Sequence, residues 1–469
     1  MRTAAAAILA LLLAAPAFAG TSTTPPTTTN NDDSCDIALE PAATLLLPYF
    51  QVDFNSPRAS AVQTIFTVQN VLPYPQIANV TLWTDTAYPA FNFTIFLTGY
   101  DVQAVNLYDV FTAGALPVTS PGTPLPINPT PGSQPLGNSA NPNFLAGAAA
   151  ACTGAPVSIS PPVLQDLQLM FTTGRGSGFS CAATVGSVHS HAIGYATIDV
   201  VATCAAKTPA SSDYINGVLL FDNVLTGDYQ LIVPRGPTSY AQGGSLVHIR
   251  AVPEGGAAGT FASTNLPYTF YDRYTRGLPL RTADRRQPLP SAFAPRYIQG
   301  GTGGFNTSYK IWRETANAGT CTGPDAAARA LSIPFAEVVR FDEHANATIF
   351  AVGLISAAVP LPGTTAALSV LTNSAFFPPQ STSGDVAGWI YMNLSNGGSA
   401  NYSAARPGFT TNGATAVRAS QNWVIASMFA EPTDAVELPV IALGNGCSPA
   451  RESTGSFNGQ IGPAPNPTP

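Results

Sequence analysis

The sequence predicts an all-β protein, mainly an antiparallel β-sandwich of immunoglobulin-like or jelly-roll-like type, with one short helix and long Pro/Gly-rich loops. Three observations predict it. Short apolar runs alternate at period two and recur at near-regular intervals, the pattern of half-buried strands. Turn formers such as Pro73-Tyr74-Pro75 and Gly99-Tyr100-Asp101 punctuate the gaps. Hydrophobic residues make up 45% of the 469 positions and charged residues only 10%, with 41 Gly and 43 Pro. That balance excludes a coiled coil, a collagen and a wholly disordered chain. A net charge of -7 excludes a nucleic-acid binder driven by bulk charge.

The first element is a leader. Arg2 precedes an apolar run from Ala4 to Ala15, Pro16 breaks it, and Ala17-Phe18-Ala19 supplies the small-x-small pattern before Gly20. Residues 1–19 therefore read as a cleaved secretory signal peptide, which places the mature chain outside the cytoplasm: secreted, periplasmic or at the cell surface. The apolar run is too short for a permanent span, and no later transmembrane helix is expected. Residues 20–43 form a flexible leader, Thr/Pro/Asn-rich over 20–34.

A first β-unit is expected over 44–252. Its strands run at about Thr44–Val52, Ala61–Val71, Ala78–Thr84, Phe91–Thr98 and Val102–Phe111, and Thr64, Phe66 and Val68 share one face. Residues 113–160 are a Pro/Gly-rich insertion. Ser160-Pro161-Pro162 then opens a helix over Val163–Phe171, with Leu164, Leu167 and Phe171 on its apolar face. Further strands are expected at His191–Thr203, Val218–Asn223, Tyr229–Val233 and Leu246–Val252. Residues 253–307 read as an Arg/Pro-rich connecting region. A second β-unit over 308–447 carries strands near Ser308–Arg313, Ala336–Phe341, Thr348–Leu354, Ala367–Thr372, Gly388–Leu394, Trp423–Ala430 and Val436–Leu443. A disordered tail follows over 448–469.

The layout Phe66-Thr67-Val68-Gln69-Asn70, then Ala78-Asn79-Val80-Thr81-Leu82, then Leu97 through Asn106-Leu107, resembles the immunoglobulin-like β-sandwich modules of exported, uncharacterised bacterial proteins. The resemblance implies a sandwich fold and an extracytoplasmic setting. It carries no functional residue.

Cys35, Cys152, Cys181, Cys204, Cys321 and Cys447 make an even set, which in an exported chain reads as disulfides. One pairing among many joins Cys152 with Cys181, Cys204 with Cys321, and Cys35 with Cys447. Six Asn-x-Ser/Thr sequons begin at Asn79, Asn92, Asn306, Asn346, Asn393 and Asn401. The Ala-rich leader looks bacterial, so they are expected to stay unmodified.

Candidate chemistry is sparse. His189-Ser190-His191 places two imidazoles two residues apart, which on a strand would direct both toward one metal, with His248 and Asp199 as further ligands. Asp342-Glu343-His344 reads as a solvated turn. Asp222, Asn223 and Asp228 offer oxygen ligands for a structural calcium, the one ion to consider in a protein otherwise expected to hold no cofactor. Gly178-Phe179-Ser180-Cys181-Ala182 and Gly319-Thr320-Cys321-Thr322-Gly323 lack the strand–turn–helix setting of a nucleophile elbow.

The densest feature is an arginine stretch. Arg273, Arg276, Arg281, Arg285, Arg286 and Arg296 interleave with Tyr271 and Tyr274. Guanidinium forks beside aromatic faces suit an anionic glycan or the surface of another protein. The competing expectation is a loop clamp, with arginines paired with Asp272 and Asp284 and bonded to backbone carbonyls. The function expected is a non-enzymatic, exported interaction protein for adhesion, matrix or glycan binding. The alternative is a secreted metal-dependent enzyme centred on the His-x-His motif.

Overall fold

A computed structural model describes residues 39–73, 75–117, 158–176, 185–202, 207–209, 214, 218–235, 238–251, 270–271, 286–290, 292–300, 304–313, 337–350, 368–371, 386–394, 421–430, 434–438 and 440–443. Residues 1–38, the six cysteines, both nucleophile-like motifs and the tail lie outside these residues. The end of the expected flexible leader is corrected: Ala42 and Ala43 are fully buried, and Ala42 bridges Leu225.

Nineteen strands and two helices occur among the described residues. The strands are β1 (Thr44–Val52), β2 (Gln63–Asn70), β3 (Gln76–Thr84), β4 (Pro89–Leu97), β5 (Val102–Asn106), β6 (Ala192–Val200), β7 (Leu225–Thr226), β8 (Tyr229–Arg235), β9 (Thr238–Gln242) and β10 (Val247–Ile249). The second half supplies β11 (Ala292–Ile298), β12 (Phe305–Arg313), β13 (Glu337–Asp342), β14 (Ala347–Phe350), β15 (Leu368–Leu371), β16 (Ala387–Asn393), β17 (Asn422–Ala430), β18 (Asp434–Leu438) and β19 (Val440–Ala442). The helices are α1 (Leu107–Ala113) and α2 (Pro161–Thr173).

The strands form four antiparallel sheets. Sheet I runs β5-β2-β8-β9, with β7 also on β2, and sheet II runs β10-β1-β6-β3-β4. Sheet III runs β15-β12-β17-β18, and sheet IV runs β14-β13-β16-β11-β19. The all-β, sandwich-like expectation therefore holds.

Sheet II is the centre of the molecule. Every residue of β3 and of β6 is buried, as expected for central strands covered on both faces. The β6 residue Gly194 faces the helices. A Cβ there would lie 2.2 Å from the Trp83 carbonyl oxygen and 2.7–2.8 Å from the Phe171 and Phe50 rings, so only glycine fits. Phe50, Phe111 and Phe171 form an aromatic cluster at this point. Tyr195 faces the opposite way, stacked on Trp83 at 5.6 Å and edge-on to Trp312 at 5.8 Å.

Trp312 belongs to β12, so it ties sheet III to sheet II. Burying a side chain of that size contributes about 5 kcal/mol at most. The other face of β12 sends Tyr309 and Ile311 into a second core with Phe293, Val338, Ile390, Met392 and Val424. Sheet III thus serves two cores, one on each face, and alternation along β12 assigns its side chains between them.

Helix α2 begins as the sequence predicts, with prolines in its first turn after Ser160, although the Ser160 side chain makes no capping bond. Leu167 and Phe171 are buried and Leu164 packs beside them. Gly174 ends the helix in the left-handed region at φ 70°.

Four local readings are corrected. The expected strand Val102–Phe111 breaks at Asn106, whose side chain accepts from Tyr108 N and caps α1. Val218–Asn223 is no strand; it makes only an isolated bridge, Val201 to Leu219. The expected strand Val436–Leu443 is two, β18 on β17 and β19 on β11. The region expected to connect the units contains β11, a strand of sheet IV. Pro295 sits in its middle and lacks a ladder N–H, which hides the strand from a periodicity reading.

Candidate functional site

Strand β11 brings the last arginine of the stretch to the outer face of sheet IV. Its alternation points Phe293, Pro295 and Tyr297 inward and leaves Arg296 exposed. Arg296 stands opposite Trp389 of β16, and Trp389 stands opposite Phe341 of β13. Residues opposed in antiparallel strands share a face, so the three form one row across three strands. The Trp389 and Phe341 rings stack at 4.0 Å with their planes 10° apart. Phe341 covers one face of the indole, and Arg296 is the register neighbour of Trp389 on β11. Trp389 keeps 37% of its surface open, unusual for tryptophan in a sheet. Ile441, opposite Ala294 on the neighbouring β19, is 58% exposed and extends the apolar rim.

The rest of the arginine stretch divides. Arg273, Arg276, Arg281, Arg285 and Tyr274 lie outside the described residues. Arg286 and Tyr271, both expected to meet a ligand, are fully buried together. Their centre is Asp199 on β6, the middle of a polar row Thr44–Asp199–Asn79 across β1, β6 and β3. Asp199 accepts from the Thr44 hydroxyl and, at 2.7 Å each, from the Tyr214 and Tyr271 hydroxyls. Arg286 Nε lies 3.6 Å from Asp199 and donates to Thr44 Oγ1. Arg286 Nη2 donates to the carbonyls of Leu220 at 2.9 Å and Ala43 at 3.3 Å. Arg286 thus clamps backbone carbonyls as expected, but its carboxylate is Asp199; Asp272 and Asp284 lie outside the described residues. The ligand-contact expectation for Arg286 and Tyr271 is corrected, since both are buried from solvent.

Burial pushes the Asp199 carboxyl up, against the Arg286 guanidinium and the three hydroxyls that pull it down. The Tyr214 and Tyr271 hydroxyls are held well above the usual phenol range, by burial first and by the Asp199 charge second.

The histidines do not converge. His189 lies before β6 begins, so the strand premise fails. Its Nε2 meets Asp85 Oδ2 at 3.0 Å, while Asp85 Oδ1 accepts from Ser187 N. His191 Nδ1 meets Gln51 Nε2 at 2.7 Å, and its Nε2 lies 3.8 Å from Asp53. His248 Nδ1 meets the Glu40 carbonyl at 2.8 Å. Each ring has its own partner in a different part of the fold, and Asp199 is committed to the clamp. Among the described residues no group of three or more His, Cys, Asp and Glu could hold a metal ion.

The calcium candidates also part. Asp222 is fully buried, Asn223 exchanges two 2.8 Å bonds with the Ala251 backbone, and Asp228 accepts from the Thr67 hydroxyl at 2.7 Å. Asp342 ties its own turn by accepting from His344 N, Asn346 N and Asn346 Nδ2. These bonds, Asn346's above all, hold its carboxyl below the usual range. Glu343 accepts from the Val386 and Ala387 amides just before Trp389 and thereby fixes the start of β16 against the β13–β14 turn.

Sequence reasoning missed the exposed Trp389. Gly388-Trp389-Ile390-Tyr391-Met392 is apolar at both parities, so the outward face cannot be read from alternation. The available signal was Arg296, already counted in the stretch, with a strand-compatible Ala-Phe-Ala-Pro-Arg-Tyr-Ile around it. No family model, curated protein or solved structure matches the chain. No described helix is long and apolar enough to cross a membrane.

Proposed function

We propose that the chain is an exported, non-enzymatic β-sandwich protein that binds an acidic glycan outside the cytoplasm, through the Arg296–Trp389–Phe341 row. The observation that carries the reading is the open indole, stacked on Phe341 and opposite an exposed arginine in the next strand. The C–H face of a pyranose ring packs on a flat aromatic surface, and a carboxylate or sulfate on that sugar suits an adjacent Arg fork. The immunoglobulin-like resemblance and the residue 1–19 leader support the exported setting. The dispersal of His189, His191 and His248 among separate partners favours a binding role over a metal-dependent reaction.

The test is titration of the mature protein with polygalacturonate and with dextran of matched length, at low and at high salt. Binding to polygalacturonate that weakens with salt, with little binding to dextran, is expected. Equal binding to both, or to neither, overturns the proposal.

A further inference from the structure

Among the full chain's lysines, Lys207 and Lys310, one is placed unusually. Lys310 projects from the face of β12 that looks toward sheet II, at the joint of the two sandwiches. Its Nζ donates to Ser427 Oγ on β17 at 2.9 Å and lies 5.3 Å from the centre of the Tyr49 ring on β1. Glu437 of β18 is the nearby acid; its Oε2 accepts from the Tyr229 hydroxyl of β8 at 2.9 Å. Among the described residues no carboxylate pairs with Lys310 within 4.0 Å. Lys310 is half-buried rather than sealed in the core. An amine oriented by a hydroxyl, next to an aromatic face and near an acid, has the parts of a nucleophilic site.

We propose that Lys310 is a carbonyl-reactive amine, a site at the joint of the two sandwiches that takes a small aldehyde or ketone as a Schiff base. The amine lone pair attacks the carbonyl carbon, and a C–N bond forms as the π pair moves to oxygen. That oxygen takes up two protons in all, the C–O bond breaks, and water leaves as C=N forms. The two nitrogen protons balance the two on the water, so no oxidant or reductant is needed. Ser427 holds the nitrogen in place. The neutral imine takes one further proton from solvent to become the cationic iminium, which the Tyr49 face and the nearby Glu437 carboxylate favour. Two shifts agree with this geometry. Burial lowers the Lys310 amine to about 8, against the opposing pull of Glu437. Burial likewise pushes the Glu437 carboxyl up, against the Tyr229 hydroxyl and the Lys310 charge that pull it down. This site does not depend on the glycan reading.

The experiment uses the folded full chain at pH 8 with glycolaldehyde and cyanoborohydride, followed by peptide mass mapping. Exposed Lys207 is the comparison within the same molecule. A pKa of about 8 leaves half the amine free at that pH. Lower basicity offsets part of that gain, so Lys310 should be trapped about tenfold faster than an amine at the ordinary lysine value. Trapping of Lys207 at the same or a greater rate overturns the proposal. In urea the two rates should converge; a preference for Lys310 that survives unfolding also overturns it, because the fold would not be its source. Lys310→Arg should abolish the fast adduct and leave the slow one, and Ser427→Ala should slow trapping while leaving Lys207 unchanged. A fast adduct that persists in Lys310→Arg contradicts the assignment.

Discussion

Replacing Arg286 by methionine separates a clamp from a ligand contact. The guanidinium is wholly buried and lies 3.6 Å from Asp199. It also satisfies the Leu220 and Ala43 carbonyls and lies over the Phe221 and Tyr271 rings at 5.6 and 5.7 Å. Methionine keeps much of the volume and removes the charge and all the donors. Asp199 would then be buried with hydroxyl partners but no countercharge, a loss of about 3–5 kcal/mol. For a cooperative unit the size of the first sandwich, that corresponds to a fall in Tm of about 10 °C. Adding Asp199→Asn should recover part of the loss, because it removes the stranded charge. The assay is thermal and urea unfolding of wild type, both single variants and the double variant, read as a double-mutant cycle. A Tm for Arg286→Met within a degree of wild type would refute the clamp. So would a double variant less stable than the sum of the singles.

Three further outcomes follow from the same structure. Gly194→Ala should cost about 3 kcal/mol or more, because the Trp83 carbonyl cannot retreat within the central sheet; a near-neutral melt would contradict that packing. The buried tyrosines Tyr49, Tyr214, Tyr229, Tyr271 and Tyr309 all have hydroxyls raised above the ordinary value, chiefly by burial. Their contribution is complete below pH 10 and is lost as pH rises beyond it. Lys310, lowered to about 8, acts in the opposite sense and adds stability between about pH 8 and 10.5. Denaturation midpoints should therefore hold or rise from pH 8 to 10 and collapse above it, while a steady fall from pH 8 would disagree. Finally, His189→Ala with His191→Ala should leave metal content unchanged but lower the melt, through the lost Asp85 and Gln51 contacts; loss of a stoichiometric metal would restore the enzyme reading.

Fold class was legible because strand periodicity is a local property. Phe66-Thr67-Val68 alternates apolar and polar in sequence, and burial alternates across Thr64–Val68. Helix α2 was legible through its prolines and Gly174. What failed depended on partners distant in the chain. Asn106 caps α1 and ends β5, yet an asparagine inside an apolar run looks like strand. Pro295 conceals β11, which is held by β16 and β19 more than by its own propensity. The same limit applied to the site. Composition marked the arginine stretch, but only the fold separates Arg286, drawn inward by Asp199 from far upstream, from Arg296, turned outward ten positions later. The His-x-His spacing looked convergent only while both residues were assumed to lie on a strand. The buried row Thr44–Asp199–Asn79 joins residues from three distant segments and leaves no local trace.

The proposed recognition of an acidic sugar joins stacking and charge on the outer face of sheet IV. It is tested most directly by calorimetric titration of wild type, Trp389→Ala and Arg296→Gln with the same polygalacturonate oligomer. Loss of the indole should weaken binding about tenfold or more, with the melt little changed, since stacking of this kind contributes about 1–3 kcal/mol. Loss of the guanidinium should weaken binding and remove most of its salt dependence. Wild-type affinity and salt dependence in both variants would contradict the account.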